Sequence, residues 1–152
     1  MYAPLNILFA SYLLLAFLLA SCSNRAIYKS SCDDNIPFKK VTFSHLVDSL
    51  NYYNGQYVEL AGIYRSGKEE SGLFDDKLIG VPGSRKALWV NFSQDCPLYK
   101  LGTNKGFFDF TDGGFVDMKN KKVRMRGKID IHNRGYKHQY VATLDHVSLV
   151  EL

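Results

Sequence analysis

The side chains that could do chemistry in this chain are few, and their spacing rules out more than it suggests. Three of the four histidines fall near the C-terminus, at His132, His138 and His146, with Asp145 beside the last. Imidazoles are good zinc ligands, but H-x5-H and H-x7-H match no compact ligand pattern. Glu69-Glu70 and Asp75-Asp76 are adjacent pairs. Neighbours on a strand point to opposite faces, so neither pair suits shared acid–base work. No serine sits in a G-x-S-x-G elbow, and no glycine-rich loop opens a helix to hold phosphate. The strongest charge signal is Lys122, Arg124, Arg126 and Lys128, one cation at every second position. On a strand such side chains share a face about 6.6 Å apart, near the phosphate spacing of a nucleic-acid strand. They form a candidate anion-binding face. A solvated face with cross-strand carboxylates such as Glu59 or Glu151 opposite it fits equally, and is the reading we favour.

The first 24 residues carry no charged side chain. Residues 7–21 read ILFASYLLLAFLLAS. As a helix this run reaches about 22 Å, short of the roughly 30 Å core of a bilayer. An apolar run of that length followed by small residues reads as a secretory signal and cleavage site. Leu19-Ala20-Ser21-Cys22 also resembles the lipobox of bacterial lipoproteins. The resemblance implies a diacylglyceryl group on the Cys22 sulfur, cleavage just before Cys22, and acylation of the new amine. Two or three chains anchor stably, at about 0.8 kcal/mol per buried CH₂. It further implies a lipid-anchored protein of the cell membrane or outer membrane of a bacterium. The segment after Cys22 lacks the acidic run that sends lipoproteins of some bacterial groups to the cell surface, so the domain is expected to face the periplasm. The MYAPLN start has no basic side chain, whereas Arg25 and Lys29 follow the apolar run. An uncleaved N-terminal signal anchor is therefore the alternative.

With Cys22 assigned to lipid, Cys32 and Cys96 remain as an even pair in an oxidising compartment. A bridge between them closes a loop worth roughly 4 kcal/mol of chain entropy. Two free thiols are the other reading. The net charge of +4 and a pI near 8.9 are mildly basic, below what a nucleic-acid binder requires.

Positioning falls to elements that are mostly strands. Residues 23–40 are polar and without period, so residues 22–40 read as a flexible tether. Phe43, Leu46, Val47 and Leu50 make one helical stripe behind Thr42, a plausible N-cap, and Asn54-Gly55 ends it. Strands follow over 56–65, 73–74, 78–81, 87–92, 121–131 and 140–152, the last bent near Asp145. Only one of Leu88 and Trp89 can face the core. The stretch 93–119 carries Pro97, Gly102, Gly106, Gly113 and Gly114 and reads as a loop with at most one short helix. Within it Phe107, Phe108, Phe110 and Phe115 suggest a plug over the barrel end, or an exposed aromatic platform for glycan, peptide or partner protein. The motif V-x-[LM]-x-G occurs twice, ending at Gly62 and at Gly127. A bending glycine in two long strands is what a small closed barrel needs.

The order of these strands resembles the OB-fold, whose helix lies between its third and fourth strands. The expected architecture is mainly β: a small closed or partly open barrel of five to six strands over residues 41–152, with one short N-terminal helix. A signal peptide over 1–21 and the tether precede it. The expected function is a non-catalytic binding or scaffolding module of the cell envelope. It is held to the membrane by lipid on Cys22, uses no other cofactor, and contacts an envelope protein, glycan or peptide rather than nucleic acid. A small envelope enzyme or metal-binding protein built on His132, His138 and His146 is the alternative.

Overall fold

Alternation of apolar and charged residues decides the architecture, and its clearest case is strand β7 (Lys121–Asp130). Val123, Met125, Gly127 and Ile129 of β7 point inward and are buried, while the cations between them point out. The computed structural model describes residues 25–32, 34–77, 86–108 and 116–152. Cys22 with its apolar run, the strand expected over 78–81, and Phe110 and Phe115 lie outside the described residues.

In chain order the strands are β1 (Ile27–Lys29), β2 (Lys39–Lys40), β3 (Tyr57–Gly67), β4 (Glu70–Phe74), β5 (Ala87–Val90), β6 (Tyr99–Lys100), β7 and β8 (Ala142–Glu151). Five of them close a barrel. β3 pairs antiparallel with β4 and with β7, β4 with β5, and β7 with β8; β5 and β8 run parallel and complete the ring. A mainly β closed barrel of five strands is the fold class expected from the sequence, and the extra strands β1, β2 and β6 add to it. Leu60, Leu73, Leu88, Met125, Leu144 and Val150 fill its interior.

Closure depends on two glycines. A Cβ on Gly62 would lie 2.5 Å from the carbonyl oxygen of Phe74, and one on Gly127 would lie 2.7 Å from that of Asp145. Backbone crosses backbone at both points, just where β3 begins to pair with β4 and where β8 shifts register on β7. At the second crossing β8 places residues 146–148 opposite Gly127 alone, and His146 takes a φ of 48°. This is the bend expected near Asp145.

The helical stripe folds as two short pieces, α1 (Phe43–Asp48) and α2 (Leu50–Tyr53), parted at Ser49. The Thr42 hydroxyl accepts the His45 amide, as an N-cap does. Phe43, Leu46 and Tyr53 are buried in the core.

Two expectations differ from the structure. The described part of 93–119 contains no helix. Its centre is a hairpin: the Phe107 amide donates to the Leu98 carbonyl, the Lys100 amide to that of Lys105, and Gly102 turns the chain with a φ of 74°. Pro97 and the turn glycines oppose helix there, and Phe107 enters the core directly. The segment read as tether contributes two short strands to the sheet, at Ile27–Lys29 and Lys39–Lys40. β1 lies between β8 and β6, and β2 adds parallel to β3. Tyr28, 6 % exposed, is what ties β1 down, and a single buried ring leaves no period to detect.

Candidate binding cleft and the basic strand face

The hairpin over 98–107 and the segment leaving β5 enclose an open cleft of about 620 Å³. Phe92, Pro97, Leu98, Tyr99, Phe107 and Phe108 supply its apolar walls, with Ser93, Gln94 and Gly106 between them. Its floor is a ring cluster. Phe92 stacks on Phe107 at 5.7 Å and meets the edge of Phe108 at 5.1 Å. Phe107 and Phe108 cross at 4.7 Å, and Tyr28 meets Phe107 at 5.0 Å. Phe107 is thus both core and floor, while Phe108 and Tyr99 are 40 % and 47 % exposed at the rim. Of the four aromatic residues of this loop, Phe107 is packed in the core and Phe108 stands partly exposed, while Phe110 and Phe115 lie outside the described residues. Among the described residues, no lining side chain carries a formal charge at neutral pH, and Tyr99 alone is titratable.

Cys96, between the lining residues Gln94 and Pro97 in the chain, is buried and bonded to Cys32 with their Cα atoms 5.6 Å apart. The bridge joins the segment after β1 to the segment before β6. Behind the cleft, Tyr64 meets Phe92 edge-on at 6.3 Å, and its hydroxyl lies 3.0 Å from that of Ser71. Burial raises the Tyr64 phenol above its ordinary value, and the Ser71 hydrogen bond offsets part of that rise.

A second aromatic group covers the outer face of β4 and β5. Leu88 is the core residue of its pair, and Trp89 lies half-buried outside, 5.2 Å edge-on from Tyr140. Gly135 is required here, because a Cβ would lie 2.7 Å from the Trp89 ring. The β7–β8 connection is therefore laid flat over Trp89.

The basic stripe is largely paired. Arg126 Nε meets Glu59 at 2.6 Å, and Arg124 meets Glu151 at 3.0 Å. Lys122 meets Asp76 at 2.6 Å, and this hydrogen bond is the chief reason the Asp76 carboxyl titrates below its ordinary value. Lys128 stands over the Tyr57 ring at 5.9 Å. Glu59 and Glu151 are the two carboxylates the strand pattern brings opposite these cations. The face is an ion-pair ladder more than an open anion track.

The histidines do not gather. His132 and His138 are exposed in the β7–β8 connection, and His146 contacts Asp145 at 3.0 Å on β8. Among the described residues no three His, Cys, Asp or Glu side chains are placed to hold a metal ion. Phe92 and the 97–99 segment were missed as site residues. The only signal was an apolar Pro97-Leu98-Tyr99 run in a polar loop. No protein-family model matches the chain, and neither a curated protein nor a solved structure was found that resembles it.

Proposed function

We propose that this chain is an exported bacterial lipoprotein, anchored to an envelope membrane by acyl chains on Cys22, with its barrel facing the periplasm as a non-catalytic binding module. The cleft over Phe92, Phe107 and Phe108 is its contact site, and an uncharged segment of an envelope protein is its ligand. The observation that carries this reading is the chemistry of the cleft. It is open and aromatic, and its described lining residues include no carboxylate, imidazole or ammonium group, so they favour burial of a neutral surface over acid–base work. The lipobox-like stretch at Leu19-Ala20-Ser21-Cys22 supports the anchor.

Two measurements test it. Cells fed labelled palmitate should incorporate label into the wild-type chain, and Cys22→Ser should lose both label and membrane sedimentation. A photo-crosslinking amino acid at position 108 should give a discrete protein adduct in intact cells, and the same group at position 137 should not. Equal adducts from both positions would sink the cleft as the contact site. Persistence of label and sedimentation in Cys22→Ser would sink the anchor.

A further inference from the structure

The start of β1, the end of β8, the start of β7 and the turn after β6 meet at one end of the barrel. The register requires it: Ile27 pairs with Glu151, Arg124 pairs with Glu151, and the Leu101 amide donates to the Ile27 carbonyl. Arg25 is fixed there. Its guanidinium meets Glu151 at 2.8 Å, and the next residue, Ala26, accepts the Leu152 amide at 2.9 Å. Only residues 23 and 24 separate Arg25 from Cys22. Three peptide units span at most about 11 Å in any conformation. A lipidated Cys22 leaves no tether on which the barrel could turn. This end of the molecule must stay beside the bilayer.

The chemistry of that end suits the position. Arg25, Lys100, Lys105, Lys119, Lys121 and Arg124 are all exposed there. Among the described residues the carboxylates here are Glu151, shared by Arg25 and Arg124, Asp117, which accepts the Lys119 amide, and Asp34, which is paired with Lys29 beside the 100–103 turn. Lys122 is matched by Asp76. Even without Lys105, cations remain in excess among the described residues here, and such charges act on a headgroup layer that comes within about one Debye length, roughly 8 Å at physiological salt. Leu101 stands 63 % exposed at the tip of the β6 turn, an apolar side chain ringed by Lys100 and Lys105.

We propose that this end of the barrel, formed by Arg25, the 100–105 turn and the 117–122 turn, is a membrane-contact surface. It is seated on the anionic headgroups of the same bilayer that holds the lipid of Cys22, with Leu101 dipping into the interface. The proposal rests on lipidation of Cys22. It fixes the orientation of the module: the β7–β8 connection points away from the bilayer, about 30 Å further along β7.

The test uses the full lipidated chain, oxidised at Cys32 and Cys96, in vesicles of phosphatidylethanolamine and phosphatidylglycerol containing lipids with nitroxide-tagged headgroups. An environment-sensitive fluorophore is placed on Leu101→Cys, on Asn104→Cys as a second site in the same turn, or on Lys137→Cys at the far end. Flotation of the vesicles reports the anchor, and quenching reports the orientation. Flotation with quenching several-fold stronger at 101 and 104 than at 137 is the expected result. Flotation with equal quenching at all three overturns the contact surface and leaves the anchor standing. Failure to float overturns both.

Discussion

Glu59 and Glu151 do similar work at unequal depth, and the difference is measurable. Glu59 of β3 pairs across to Arg126 of β7 with 6 % of its surface exposed, and the two side chains meet at 2.6 Å. Among the described residues, the only other cation paired with it, Lys40, stands 3.9 Å away and is largely solvated. Glu151 is served by two guanidinium groups, those of Arg25 and Arg124. Removing Arg126 strands a buried carboxylate, while removing Arg124 leaves Glu151 partnered. Arg126→Met should therefore cost about 1.5–3 kcal/mol. Arg124→Met, an exposed position, should cost less than about 0.5 kcal/mol. Urea midpoints at neutral pH, with unchanged m, would record the contrast; equal midpoints would show that Glu59 is hydrated in solution. Both carboxylates could be named from the strand pattern as partners of the basic stripe. Which cation each would take could not, because that depends on a register set by distant turns and by the bulge at Gly127.

The two V-x-[LM]-x-G strands illustrate both what a short motif can tell and where it stops. Gly62 and Gly127 sit where one strand passes over the backbone of another, and a methyl group there meets a carbonyl oxygen that cannot move aside. Gly62→Ala and Gly127→Ala should each destabilise by at least about 1–3 kcal/mol, the usual cost of overpacking. Gly67→Ala, with its nearest neighbour 3.7 Å from the added carbon, should be tolerated. Thermal unfolding of the three variants would rank them, and a stable Gly62→Ala would show that β3 and β4 can separate without cost. Long strands were legible because their alternation runs through ten or more residues, as in β7. β1 and β6 were not, since three and two residues carry no period and their pairing is decided by neighbours far along the chain. The hairpin over 98–107 was read as loop for the same reason, although its aromatic content did mark it as something to be packed. The two-piece helix was legible in its stripe and its cap but not in its break at Ser49.

The barrel ring itself closes without β1, so the bridge between Cys32 and Cys96 has a task beyond the core. It ties the segment after β1 to the approach to β6, across 64 positions of chain. Loop-closure entropy for a span of that length is worth roughly 4 kcal/mol, although bridges often deliver less. The loss should not be evenly distributed. β1 is short, and its neighbour β6 has only two residues, so the pairing of β1 with β8 and β6 should open before the barrel does. In a Cys32→Ser, Cys96→Ser variant the Ser30 amide, bonded to the Ser148 carbonyl at 2.8 Å, should exchange with solvent far faster than in the bridged chain. The amides of β7 bonded to β3 should slow or quicken only with global stability. Such a split matters for where the barrel stands, because opening β1 would lengthen the connection between Cys22 and the first fixed residue. The bridge would then be what keeps that connection short. Hydrogen exchange followed amide by amide distinguishes the cases: uniform acceleration across Ser30 and β7 would mean that β1 is as integral as the ring, and that the bridge only adds stability.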